Sequence, residues 1–280
     1  MSLERRGKFE LIIAMVLSGT VGMFVLESGQ PSYNAVFFRC LFGGGCLIAY
    51  CAFKGYLNFA ELTKKHWLLI ISSGVAVVLN WILLFESYKY ASISVSTVVY
   101  HTQPLFLVFL AALFLREKLE SHNLVWVLVA LIGVVLIVDP SAANVAKDKQ
   151  IYGLLFALAA AVLYAVATLI IKQLNGVKPH FIAAIQVSLG CMLLLPFVNF
   201  DIVPSAGEQW AWLVGLGVVH TCIMYILLYS SFQKVSTGSI AVLSYIYPGV
   251  AILVDYIFYD QNLSWVQIVG VGLIVIAGFS

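Results

Sequence analysis

The chain has 280 residues, of which 62% are hydrophobic and only 10% charged, with a mean hydropathy of +1.01 and a formal charge of +2. A water-soluble domain needs more charge to cover its surface, so lipid is the expected solvent. The small positive charge, without any basic run, argues against a nucleic-acid partner.

In chain order, the start MSLERRGKFE leads straight into an apolar stretch of membrane-crossing length, so the first span is expected to be retained rather than cleaved. With about 20 apolar residues per crossing, ten spans are predicted, at about 9–27, 33–53, 67–89, 92–115, 121–138, 151–173, 180–199, 209–232, 236–258 and 263–279. Cys40, Cys46, Cys51, Cys191 and Cys222 all fall inside these apolar segments without a CxxC pair. They read as small buried hydrophobes, not as a disulfide framework or metal site.

Basic residues orient the spans. With a cytoplasmic N-terminus, that side carries Arg5, Arg6, Lys8, Lys54, Lys64, Lys65, Arg116, Lys118, Lys172, Lys178 and Lys234. The opposite side carries Lys147 and Lys149, and the acidic loop NFDIVPSAGEQ fits there. The asymmetry predicts that both termini are cytoplasmic.

Two interruptions stand out: VVYHTQPLF, Val98 to Phe106, and LSYIYPGVA, Leu243 to Ala251. Aligning Pro104 with Pro248 also aligns Ser92 with Ser236, Phe114 with Phe258, Leu119 with Leu263 and Val125 with Val269. The chain then divides into halves 1–140 and 141–280, each with five spans. An odd number of spans per half inverts one half relative to the other. Inverted repeats with interrupted helices are a construction principle of secondary transporters, whose substrate sites lie near the midplane. The plain alternative is two halves kept for packing alone.

The stretch YASISVSTVVYHTQPLFLVFLAALFLREKL resembles the drug/metabolite transporter superfamily, specifically its ten-span EamA-type members. Pro104, Glu117, Leu119, Gly133 and Ile137 occupy recognisable positions of that family's repeat. QPSYNAVFFRCLFGG is similar to the family's second span, with Arg39 at its usual arginine. The second half departs from the pattern, with Gln261 where the family often has glutamate and Asp260 adjacent. The resemblance implies an all-α membrane protein of two five-helix repeats in a cell membrane, a bacterial inner membrane in the expected case. It also implies transport of amino acids or other metabolites, commonly as export.

Pro104 and Pro248 lack an N–H, and their rings oppose the carbonyls of Tyr100 and Ser244, exposing backbone acceptors. Counting from Ser92 at 1.5 Å per residue puts His101 to Pro104 about 14–18 Å deep. Irregular backbone at that depth must be buried in protein or line a watery cavity. These prolines are therefore the expected hinges. The expected cavity wall comprises Tyr100, His101 and Gln103, with Ser244, Tyr245 and Tyr247 as counterparts in the second half. Asn80, Trp81, Tyr164, Gln186, His220 and Tyr225 are further candidates for the wall. An amide or imidazole facing lipid is costly, although hydrogen bonding between helices would satisfy Asn80, Gln186 and His220 equally well. His101 can hold a polar substrate, carry a coupling proton or bond a neighbouring hydroxyl.

Arg39, Glu86, Lys89 and Asp255 are the charges that enter spans, all toward the outer ends, where snorkelling is available. Arg39 and Glu86 read either as an outer gate or as an ion pair joining the second span to the third. Glu86 is also a candidate coupling carboxylate. No GxxxxGK[ST] or HExxH occurs, and no catalytic residues, cofactor or metal are expected. The expected partners are a small-molecule substrate, the bilayer and, where transport is coupled, protons. A facilitative channel, a lipid scramblase and an intramembrane enzyme are the rival classes, and oligomeric state is not legible.

Overall fold

The computed structural model describes residues 3–103, 147–171, 173–174, 176–204, 207–232, 234–235, 243, 246–260 and 263–278, with scattered positions between 106 and 136. Pro104, Glu117, Ser236, Ser244, Tyr245 and most of the span expected at 121–138 lie outside the described residues. The described elements are helices: α1 Leu3–Glu27, α2 Ser32–Phe53, α3 Lys64–Ser87, α4 Ile93–Tyr100, α5 Lys147–Ile171 and α6 Pro179–Leu194. A rod follows, composed of α7 Glu208–Gly217, a π-helical segment Val218–Ile223 and α8 Met224–Phe232, and then α9 Ile246–Tyr259 and α10 Trp265–Gly278. Among the described residues, six helices are long and apolar enough to cross a membrane: Leu3–Glu27, Ser32–Phe53, Lys64–Ser87, Lys149–Ile171, Pro179–Phe197 and Glu208–Ser231.

Local chemistry explains several boundaries. The first helix starts at Leu3, well before the apolar stretch, because Lys8 pairs with Glu4 at 2.7 Å and Arg6 with Glu10 at 3.1 Å. Such i,i+4 pairs carry a helix into the aqueous boundary. Thr63 and His66 form a reciprocal capping box that starts α3, and Ser92 accepts the Val95 N–H to start α4. Helix α6 starts with Pro179 and gives way at Pro196 to two short 3₁₀ turns. In the fourth expected span α4 ends at Tyr100, His101 and Thr102 form a turn, and helix resumes at Gln103.

The packing joins helices from opposite halves of the sequence. Helix α3 lies along α5 and α6, α2 along α6 and the rod, and α1 along the rod and α9, while α4 packs on both α5 and α9. The main core is thus built across the chain midpoint, with Val36, Leu47 and Phe85 from the first half meeting Ala160, Val187 and Leu216 from the second. The connections are clasped by polar side chains. Asn34 donates to Gln30 Oε1 and to the Asn199 carbonyl and accepts the Asn199 N–H, while Gln30 donates to the Ile202 carbonyl. These bonds fix the 195–203 segment over the start of α2.

Candidate functional site

The site is built where α2 meets the π-helical segment of the rod. Two glycines permit that crossing. A Cβ on Gly217 would lie 2.5 Å from Phe42 Cβ and 2.8 Å from Gly43 N, and one on Gly43 would lie 2.6 Å from the Thr221 side chain. Only hydrogen at both positions allows the two backbones this close. Thr221 Oγ1 donates to the Leu216 carbonyl, five residues back, which is the spacing of the π turn.

The crossing brings Arg39 against that turn. Arg39 is only 3% exposed, its Nε donates to Thr221 Oγ1 at 2.8 Å, and its Nη2 donates to the His220 carbonyl at 3.3 Å. Its guanidinium carbon lies 4.3 Å from the Trp81 ring centre and 5.7 Å from that of Phe85. The positive edge of the guanidinium plane thus rests on π faces, and its donors point at neutral oxygens. Expected as a snorkelling outer residue, Arg39 is instead turned inward, because the glycine crossing offers acceptors within the bundle. The expected pairing with Glu86 is not formed. Glu86 accepts from Ser32 Oγ at 2.6 Å and pairs with Lys89 at 2.7 Å at the helix ends, and it ties α2 to α3 through that serine.

From Trp81 the aromatic wall continues. The Trp81 and Tyr225 rings are 6.4 Å apart, Tyr225 and Tyr229 5.9 Å, Tyr100 and Tyr164 6.0 Å, and His101 and Tyr247 5.7 Å. Trp81, Tyr100 and His101 are buried, whereas Tyr164, Tyr225, Tyr229 and Tyr247 keep part of their surface. Each of these four rings faces a ring from another element. Five helices contribute to this wall: α3, α5, α8, α9 and the end of α4.

The amide and imidazole candidates divide differently. Asn80 donates to the Ala160 carbonyl at 2.6 Å and accepts from Tyr100 at 3.4 Å, which positions Tyr100 within the wall. Gln186 donates to Ser73 Oγ at 2.8 Å, bracing α6 on α3. His220 bonds Thr20 Oγ1 at 2.8 Å through Nε2 and approaches the Gly215 carbonyl at 3.4 Å through Nδ1, with Phe24 against its ring. Nε2 of His220 thus joins α1 to the rod, Nδ1 faces the rod's own backbone, and the His220 carbonyl serves Arg39. Gln103 follows the turn and is half-buried, and Pro248 is buried within α9.

Replacing Asn80 with alanine is expected to lower stability by about 1–2 kcal/mol, the scale of a buried hydrogen bond plus one unsatisfied hydroxyl. Thermal unfolding in detergent measures this, and a loss within error of zero would remove Asn80 from the wall's support.

Some residues of the site were not anticipated. His180, at the start of α6, is enclosed by Tyr50, Tyr56 and Tyr229 with ring centres 5.6–5.8 Å away. Tyr88 stacks on Phe85 at 6.1 Å and lines a cavity of ≈ 410 Å³ between the ends of α1, α3 and α9 and the start of α4. Asp255, 2% exposed, forms part of that cavity wall and accepts the Ser94 N–H. The rings around His180 come from remote segments, so no local sequence signal marked it, whereas Asp255 was marked as a charge entering a span and only its partner Ser94 was not foreseen.

Against known proteins, the model of the EamA-like transporter family matches residues 5–139 and again residues 151–279. The chain belongs to the EamA-like transporter family. An uncharacterised transporter of Bacillus subtilis, YxxF, is 29% identical over 95% of this chain and 86% of its own length. The pseudopaline exporter CntI of Pseudomonas aeruginosa is 24% identical over 99% of this chain and 96% of its own. A chain in a solved crystal structure superposes with a TM-score of 0.69 at 18% identity, covering 97% of this chain and 94% of that one. The shared fold, the family and the apolar helices make this EamA-like chain a multi-pass membrane transporter.

Proposed function

We propose that the chain is a secondary transporter that moves a small polar or amphipathic metabolite, an amino acid or a relative, by alternating access around the aromatic wall. In this reading ten spans form two inverted repeats, 1–140 and 141–280, with both termini in the cytoplasm of a bacterial inner membrane. Pro104 and Pro248 act as hinges. Tyr100, His101, Gln103, Asn80, Trp81, Tyr164, Tyr225 and Tyr247 surround the passenger, joined by Ser244 and Tyr245 from the second half. Gln186 and His220 hold the helices that carry them, and Glu86 fixes the outer end of α3.

The observation that carries the proposal is a symmetry in the packing. Exchange α1 with α5, α2 with α6, α3 with the rod, and α4 with α9. The α3–α5 contact then becomes the rod–α1 contact, α1–α9 becomes α5–α4, and α3–α6 becomes the rod–α2 contact. The α2–α6 and α4–α9 contacts map onto themselves. Two equivalent halves packed in this way have two mirror-related arrangements, one open to each side, which is the requirement for alternating access. The twofold family match supports the same division. Export follows the direction named for the pseudopaline exporter.

Purified protein in liposomes loaded with unlabelled amino acids should take up labelled amino acid by saturable counterflow. Steady conductance without counterflow would favour a channel, and lipid movement alone a scramblase. Absence of counterflow across an amino-acid and metabolite panel would defeat the carrier reading.

A further inference from the structure

We propose that Arg39 is the anchor for a carboxylate on the transported solute, so that the substrate class is a carboxylate attached to an apolar or aromatic body. The consequence for transport rests on the carrier reading above, but the binding step does not.

Arg39 is the inward-facing cation of the aromatic wall, and no acidic side chain lies within 4 Å of it among the described residues. A buried guanidinium supported only by a hydroxyl, a carbonyl and π faces is poorly compensated. Family resemblance and helix packing explain an arginine on α2, but they do not supply the missing negative charge. The occupied donors are Nε and Nη2, while Nη1 has no hydrogen-bond partner among the described residues. An incoming carboxylate would meet this open edge and form charge-assisted hydrogen bonds there.

Two packed rings, Phe85 fully buried and Tyr88 nearly so, stand between this edge and a cavity at the helix ends, so a solute arriving from that side has to displace them. Phe85 lies against the guanidinium, Tyr88 stacks on Phe85, and Tyr88 lines the ≈ 410 Å³ cavity at the helix ends. Acidic groups at that end are engaged: Glu86 by Lys89 and Ser32, Asp255 by the Ser94 N–H, and Glu27 by the Tyr259 hydroxyl. Among the described residues, the site therefore reads the carboxylate and has no carboxylate of its own dedicated to an ammonium group. Amino acids and simple organic acids of the same shape should bind alike.

The test uses wild-type protein in detergent, titrated with 3-phenylpropanoate, its methyl ester, phenethylamine, chloride and inorganic phosphate, with thermal stabilisation as the readout. The acid should half-saturate at a concentration about tenfold or more below the ester and the amine, the scale of one charged hydrogen bond. Arg39→Gln should abolish that preference. Should Arg39→Gln fail to fold, Arg39→Lys and Thr221→Val, which keep a cation and the helix respectively, should each reduce it. Equal binding of acid and ester, no binding of the acid, or an unchanged preference in the folded variants would overturn the assignment. Chloride or phosphate binding as well as the acid would also overturn it, leaving an inorganic-anion site. Counterflow of labelled phenylalanine against 3-phenylpropanoate in liposomes separates the two claims. Acid-selective binding without counterflow defeats the carrier reading and leaves Arg39 in its role, whereas counterflow without acid preference does the reverse.

Discussion

Glu10→Gln is expected to lower the stability of the folded bundle by about 2–3 kcal/mol, with Lys234→Met close behind. Both oxygens of Glu10 accept from Lys234 Nζ, at 2.6 and 2.7 Å, and one also accepts from Arg6 Nε at 3.1 Å. Lys234 Nζ donates in addition to Ser230 Oγ at 2.7 Å. The side chains of Lys234 and Glu10 are 16% and 11% exposed, so Glu10→Gln leaves Lys234 nearly buried without its carboxylate, whereas Lys234→Met leaves Glu10 with Arg6 as its remaining cation. A fully buried pair loses about 3–5 kcal/mol when one partner is removed, and the remaining exposure lets Lys234 relieve part of that. The double change Glu10→Leu with Lys234→Met should recover most of the loss, because apolar side chains of similar size replace a buried pair without penalty. Melting temperatures of wild type, Glu10→Leu, Lys234→Met and the double variant in one detergent form the double-mutant cycle. Single variants within about 0.5 kcal/mol of wild type would mean that water screens the pair. Under the proposed topology this pair closes the cytoplasmic end between α1 and the segment after α8. The apolar double variant should then preserve the seal that either single change loosens.

The second large effect belongs to the glycine crossing. Gly217→Val is expected to cost about 1–3 kcal/mol, because its Cβ meets Phe42 Cβ and the backbone nitrogen of Gly43, neither of which can move independently. Displacement there also pulls Thr221 and the His220 carbonyl away from Arg39. Acid selectivity at Arg39 should therefore fall together with stability. Gly45→Ala is the matched control, since nothing lies within 4 Å of the added Cβ. It should be neutral or slightly stabilising, because alanine is the better helix former. Equal melting temperatures for Gly217→Val and wild type would show that the crossing is looser than its distances indicate.

How far the sequence could be read depended on whether a residue's partner was local. The start of α4 after Ser92 and the apolar lengths of the first three spans were legible, because composition and span length act within a short stretch of chain. The interruption after Tyr100 was legible too, since proline acts on its own helix. The π turn at Val218–Ile223 was not, because it depends on Thr221 and on the close passage of α2. The same holds for Arg39. Its sequence position suggested the outer end and a partner in Glu86, but the direction in which it points depends on which backbone passes close enough to offer oxygens. His220 read equally as a cavity-wall residue or as a bond between helices, and only the fold shows which atoms, Thr20 Oγ1 and the Gly215 carbonyl, face its ring nitrogens.

By itself, the sequence determined that this chain belongs in lipid, that its structure is helical, and that its halves carry alignable prolines at Pro104 and Pro248. Those properties follow from apolar content, span length and proline chemistry, all of which act locally. The tertiary structure decided which polar residues are braces and which line the interior, and it brought Arg39, Trp81 and Thr221 together from three separate helices. That division is physical. A buried charge or amide takes its meaning from the atoms within about 3–4 Å of it, and in a bundle those atoms come from distant parts of the chain.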